Sequence, residues 1–208
     1  MRFKDRIEAG KKLAQALEKY QGKNVVVYAL PRGGVLIAHE IAKYLSAPLD
    51  LIIIQKIGHS YSPEFALGAV TENGHSLFNE KDIQETDEQW LKKRIEDERK
   101  EAKRRREMYS KGRKPISAKD KIAILVDDGV ATGLTMKVGI QELKLQQPKK
   151  IIVAVPVCPK DFEQEVVKES CELVTLDIPT HYLGVVGLYY DYFPQITDDE
   201  VINIINLY

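Results

Sequence analysis

Residues 124–136 read ILVDDGVATGLTM: two adjacent acids, Asp127 and Asp128, close an apolar run, and a small-residue loop rich in Gly and Thr follows. The run Ile122–Val126 is short and β-branched, the pattern of a buried strand. After Met136, the sequence KVGIQELKLQQ places Val138, Leu143 and Leu145 near helical spacing, so a helix is expected there. The acids then sit at a strand's C-terminal end, and residues 129–135 make the turn into the helix. Amides at a helix N-terminus lack intrahelical partners and form a ready anion site. Gly129 and Gly133 let the backbone approach an anion closely, and Thr132 and Thr135 add hydroxyl donors. An anion beside two carboxylates needs a ligand that also carries hydroxyls or a metal. A phosphorylated sugar satisfies both halves, with its phosphate in the loop and its diol on the acids. The plain alternative is an acidic turn whose Asp residues only start a helix.

The elements that must position this loop alternate along the chain. Strands are expected over 24–30, 49–55, 121–126, 149–157 and 171–177, and a helix over 35–45 with Val35, Ala38, Ile41, Ala42 and Leu45 on one face; another covers DFEQEVVKES. The strands are nearly continuous in Ile and Val, as in parallel strands buried on both faces. An α/β fold with a doubly wound, mainly parallel sheet follows, and such sheets bind ligands at their strand C-termini. Residues 57–79 break the alternation with Gly, Ser and Pro around a hairpin signal at Asn73-Gly74. Residues 80–113 are highly charged, with a thin apolar stripe of Leu91, Ile95, Ala102 and Tyr109, and read as a solvated helical insertion that leans on the core. The basic run Lys103–Arg106 would suit RNA, but acids interleave almost everywhere else. We expect one domain over 1–208, with the insertion at 80–113 and a small C-terminal hood at 177–194.

The stretch at 122–136 resembles the phosphoribosyl pyrophosphate (PRPP) signature of type I phosphoribosyltransferases: apolar strand, acid pair, Thr-Gly loop, helix. The resemblance implies a PRPP site in which Asp127 and Asp128 hold the ribose hydroxyls, and Gly129, Ala131, Thr132, Gly133 and Thr135 hold the 5′-phosphate. It also implies Mg²⁺, which stays partly hydrated and binds through substrate phosphates with one or two carboxylates. Arg32-Gly33-Gly34, between the first strand and its helix, is similar to the pyrophosphate loop of bacterial xanthine–guanine enzymes, where family members hold a strained or cis non-proline peptide. Arg32 there would take phosphate oxygens bidentately, although Gly before a helix is often only a turn. Lys56 resembles the basic residue that adenine enzymes place near the pyrophosphate. Residues 57–79 correspond to the mobile loop that closes over the site, and within it Glu64 is either the general base or a surface acid.

The run IPTHYLGVVGLYYDYF resembles the base-binding segment of hypoxanthine–guanine enzymes, and its alternative is an aromatic-rich packing segment. It gives Tyr182, Val185 and Val186 as acceptor contacts, and Asp191 as a metal ligand with Asp127. Three departures bear on the acceptor. Ala131 stands where 6-oxopurine enzymes carry an acid, Gly184 replaces the aromatic that stacks on the base, and Cys158 stands near the place of the Lys that reads a 6-oxo group. The implied activity is transfer of the phosphoribosyl group of PRPP to a nitrogen acceptor such as a nucleobase, with release of pyrophosphate. The other reading is a non-catalytic PRPP sensor that binds RNA or a protein.

Composition narrows the classes further. The 31 basic and 31 acidic residues cancel, so no global field argues for nucleic acid or a membrane. Cys158 and Cys171 form no C-x-x-C pair and read as thiols of a reducing compartment. No apolar run approaches the ~20 residues of a membrane span. The start, MRFKDRIEAGKKLAQAL, reads as a charged helix rather than a secretory signal, so a cytoplasmic protein is expected. His39, His59, His75 and His181 have no metal-ligand spacing. No G-x-x-x-x-G-K-[ST] motif occurs, which weighs against a nucleotide hydrolase. The partners expected are PRPP, pyrophosphate and a small acceptor, without nucleic acid; a homo-oligomer is left open.

Overall fold

The computed structural model describes residues 1–59, 66–79, 83 and 86–208 of the chain. Val25–Ala29 (β1), Leu49–Leu51 (β2), Ile122–Val126 (β6), Lys150–Val157 (β7) and Glu172–Asp177 (β8) form a five-stranded sheet of order β2-β1-β6-β7-β8, and every pairing is parallel. Side chains alternate across a strand, and both faces are apolar here. Val25, Val27 and Ala29 enter one core, which is covered by Arg6–Ala16 (α1) and Gly34–Leu45 (α2) through Ala9, Leu13, Ile37 and Ile41. Val26, Tyr28 and Leu30 enter the other, covered by Leu134–Leu145 (α4) and Lys160–Lys168 (α5) through Met136, Ile140 and Phe162. Burial on both faces explains why β1 and β6 read as unbroken apolar runs.

The stretch expected as one strand over 49–55 is two. After β2 the chain leaves the parallel sheet, and Ile54–Gly58 (β3) pairs antiparallel with Ala66–Thr71 (β4), which pairs with Ser76–Phe78 (β5). Ile52 and Ile53 are both buried at the crossing point, so hydropathy runs through the break without a mark. The described part of residues 57–79, expected as a mobile loop, is therefore largely sheet, with a turn at the foreseen Asn73-Gly74; Gly74 has a φ of +90° and its N–H bonds to Thr71 O. Thr71 Oγ1 and Asn73 Nδ2 donate to the buried Glu142 of α4 at 2.8 and 2.6 Å, which ties this second sheet to the helix behind the small-residue loop.

The charged stretch forms Glu88–Ser110 (α3), N-capped by Asp87, which accepts from Trp90 N at 2.7 Å. Its outer face carries i,i+3 and i,i+4 pairs such as Arg104–Glu101 and Arg105–Glu101. Its inner face departs from the solvated reading. Arg106 reaches into the core and bridges Asp50 of β2 at 2.8 Å and Glu72 at 3.2 Å, while Ala102 and Tyr109 are fully buried. Tyr109 donates to Asp198 at 2.6 Å, on the first turn of Asp198–Ile205 (α6). That helix starts with a Thr197–Glu200 capping box.

Glu72 is the strained member of this network. Burial pushes its carboxyl up to about 7 despite Arg106, whose charge is shared with Asp50, and its Oε2 has no hydrogen-bond partner among the described residues. Since the folded form holds this proton more tightly than the ordinary value of 4.5, the resulting stability is complete below that value and is lost as pH rises through 7. Each pKa unit is worth 1.36 kcal/mol, so up to ~3 kcal/mol is at stake. Urea titrations between pH 5 and 8 should show the wild type losing stability across this window, and Glu72→Gln should flatten the profile.

Candidate functional site

The site lies where β1 and β6, neighbours at the centre of the sheet, end together, with Ala29 in register with Val126. After β1 come Leu30, Pro31, Arg32 and Gly33; after β6 come Asp127, Asp128 and the loop to Gly133, which opens α4 with a φ of +78°. The two loops touch. Leu30 N bonds to Val126 O at 2.9 Å, and a Cβ on Gly33 would lie 1.9 Å from Asp128 Oδ2. Only glycine leaves room for that carboxylate. The Pro31–Arg32 peptide is cis.

A cleft of about 190 Å³ opens over the second loop. Asp127, Asp128, Gly129, Ala131, Thr132, Gly133 and Thr135 line it, joined by Lys56 from β3 and Val186. The first-turn amides of α4 have no intrahelical acceptors, and Gly133, Thr135 and Met136 at that helix start line the cleft together with the acid pair. Burial, reinforced by the Asp128 carboxylate, pushes Asp127 well above the usual carboxylate range, against the pull of Lys56 and Arg6. Asp127 Oδ1 accepts from Asp128 N at 2.8 Å. Burial also raises Asp128, and the Arg6 guanidinium beside it opposes that rise.

A second, more open hollow on the other side of Asp128 is lined by Arg6, Arg32, Gly33 and residues 193–196. Arg32 points to Asp198, with Nη1 3.3 Å from Oδ1 of the carboxylate that Tyr109 also holds. The Tyr109 hydroxyl and Arg32 keep Asp198 below the usual carboxylate range. Lys56 thus shares the first hollow with the acid pair, and Arg32 shares the second with Asp128.

The hood places its candidate residues unevenly. Val186 packs over Gly129, where a Cβ would come within 2.5 Å of its Cγ1. Val185 is exposed and does not line the cleft. The Tyr182 ring is already stacked on Tyr189, at 5.4 Å and 14°, while its buried hydroxyl has no partner among the described residues and burial pushes it up to about 12. Asp191 lines neither hollow; it pairs with Arg2 at 2.5 Å and is largely exposed. The structure thus does not bring it to Asp127. Glu64 lies outside the described residues. Among the described residues no group of three His, Cys, Asp or Glu side chains forms a metal site. The chemistry of the acid pair fits a metal that arrives on the ligand's phosphates and takes one carboxylate, with Asp127 the candidate.

Three participants escaped sequence reasoning. Arg6 is buried and ion-paired to Asp128 at 2.8 Å, Tyr190 donates its hydroxyl to Asp128 O at 2.6 Å, and Asp198 holds Arg32. In the sequence Arg6 is one of several cations on a charged helix, and Asp198 reads as an ordinary acid in a capping turn. No local spacing marks either residue.

The model of the phosphoribosyl transferase domain matches residues 4–192. The Mycobacterium tuberculosis protein named "Putative phosphoribosyl transferase Rv0571c" is 40% identical over 205 residues, which is 96% of this chain and 45% of that protein. A counterpart from a second strain, "Putative phosphoribosyl transferase MT0597", matches equally. The chain thus spans about half the length of these curated relatives. The crystal structure of TT1426 from Thermus thermophilus superposes with a TM-score of 0.82 at 36% identity, covering 99% of this chain and 98% of that one. A hypothetical protein from Neisseria gonorrhoeae with bound ppGpp gives 0.53 at 13% identity, covering 100% and 98%, which speaks to fold alone. No helix among the described residues is long and apolar enough to cross a membrane. With strand, acid pair, small-residue loop and helix in place at the sheet's C-terminal edge, the chain belongs to the phosphoribosyl transferase domain family, a family of glycosyltransferase type.

Proposed function

We propose that this chain transfers the 5-phosphoribosyl group of PRPP to a nitrogen acceptor, a nucleobase, and releases pyrophosphate with Mg²⁺ bound. The observation that carries the reading is the convergence of two glycine-containing strand-to-helix loops on one buried acid pair. The amides and hydroxyls of 129–135 bind the 5′-phosphate. Asp127 and Asp128 accept from the ribose diol. Lys56 and Arg32 take the pyrophosphate from two sides and stabilise the charge that builds on it as its bond to the anomeric carbon breaks. Mg²⁺, when bound on the pyrophosphate, neutralises part of that charge. Exclusion of water from the cleft matters because water would otherwise intercept an oxocarbenium-like centre.

The acceptor side is sparse. Ala131 supplies no acid, Cys158 is buried with its thiol pushed up to about 11, and Val186 is the hood residue that lines the cleft among the described residues. These features support an acceptor other than hypoxanthine or guanine, with Val186 against its face and proton handling by Glu64. We place this work in nucleotide salvage in the cytoplasm; the free thiols of Cys158 and Cys171 suit a reducing compartment.

Incubating the chain with PRPP, Mg²⁺ and a panel of bases and small amines while recording pyrophosphate release tests the reading. PRPP binding without turnover on any acceptor would favour a sensor instead. A hydrogen bond to a charged group contributes about 1.5–3 kcal/mol, so Asp128→Asn should weaken PRPP by roughly 10- to 150-fold in calorimetric titration. Glu64→Gln should leave that affinity within a small factor and slow single-turnover pyrophosphate release by the ~10²–10⁴ typical of a lost general base.

A further inference from the structure

Arg6 is only 6% exposed, and every nitrogen of its guanidinium is engaged. Nε and Nη2 both lie 2.8 Å from Asp128 Oδ2, Nη1 donates to Pro194 O at 2.8 Å, and the Phe193 ring covers the group at 3.6 Å from its centroid. Asp128 Oδ2 is thereby pinned between Arg6 and the backbone of Gly33. Both guanidinium contacts fall on Oδ2, so Arg6 leaves Oδ1 open to another donor. The Tyr190 hydroxyl fixes the same residue from its carbonyl side, and Tyr190 packs against Phe193 at 4.7 Å.

We propose that Arg6 is a positioning residue of the ligand site: it fixes one oxygen of Asp128 so that the other is presented to the ribose diol, and it ties the hood to that carboxylate. The proposal rests on the assignment of Asp128 to the ribose made above. An anchoring role for α1 alone does not require this pair. The helix already packs on α2 through Ala9, Leu13 and Ala14, and Phe3 is bonded to the hood through its own backbone. A buried ion pair is seldom a better glue than apolar side chains of the same volume. The planar fork is what the geometry uses: one edge for the carboxylate, the remaining nitrogen for Pro194 O, one face for Phe193. A lysine, with a single point charge, cannot meet all three.

The test uses the pair ribose 5-phosphate and 2,3-dideoxyribose 5-phosphate, whose affinity ratio isolates the hydroxyl contacts. The wild type should favour the ribose form by at least ~10-fold, the effect of one hydrogen bond to a charged group. Arg6→Lys, which keeps the charge and so guards against loss of folding, and Arg6→Met should both bring this ratio down nearly as far as Asp128→Asn does. Combining Arg6→Lys with Asp128→Asn should add nothing further, because one contact is lost in both. If Asp128→Asn collapses the ratio and the Arg6 variants keep it within about twofold, the positioning role is wrong and the ribose assignment survives. Equal weakening of both sugars at constant ratio would also overturn the role, since only scaffolding would have been lost. An unchanged ratio in Asp128→Asn would overturn the ribose assignment itself.

Discussion

Two adjacent carboxylates at the end of a strand buried on both faces are costly to hold out of water, and the layout of this protein follows from meeting that cost. The cations that offset it come from elsewhere in the chain. Lys56 arrives from the second sheet, and Arg6 arrives from α1 with the hood folded over it. β6 itself can supply only backbone amides, of which Asp128 N is used. The second sheet thus brings a positive charge to this edge, α1 brings another, and the hood covers the second with Phe193. Such pairing matters because a buried charge without a partner costs several kcal/mol, whereas an exposed pair contributes ~1 or less.

The same accounting distinguishes the two faces of α3. Its outward pairs lie in water and contribute little. Its inward side holds Arg106 between Asp50 and Glu72, and Tyr109 against Asp198, which in turn holds Arg32. The helix thus acts on the site through one hydroxyl and one carboxylate, and on the second sheet through one guanidinium. Its composition resembles that of a solvated helix because these few inward contacts are themselves polar.

What the sequence revealed follows from the range of the interactions involved. The acid pair, the small-residue loop, the Arg-Gly-Gly turn and the five core strands are local patterns, in which apolar runs end at turn chemistry and the candidate site residues of each loop are adjacent in sequence. The split of residues 49–55 was not legible, because Ile52 and Ile53 are as buried as the strands on either side and hydropathy carries no sign of a change of sheet. Arg6, Arg106 and Asp198 were illegible for a related reason. Each is one charge among many on an amphipathic or polar helix, and only the folded chain shows which of them turns inward. The hood was legible in part. Val186 reached the cleft, but the Tyr182 ring is taken by Tyr189 and Asp191 by Arg2, pairings that spacing does not encode.

The parallel bridge between Phe3 and Tyr190 joins segments far apart in the chain, with Phe3 N bonded to Tyr189 O and Asp191 N to Phe3 O. Contacts of such separation form late, because loop closure must precede any gain from them. A chain emerging from the ribosome can assemble β1, β6 and the small-residue loop while its hood is still being made. During that interval Arg6 has no Phe193 to cover it and no Pro194 carbonyl to bond. The acid pair would then sit in a half-built enclosure, open to water, until the hood folds back onto the first helix.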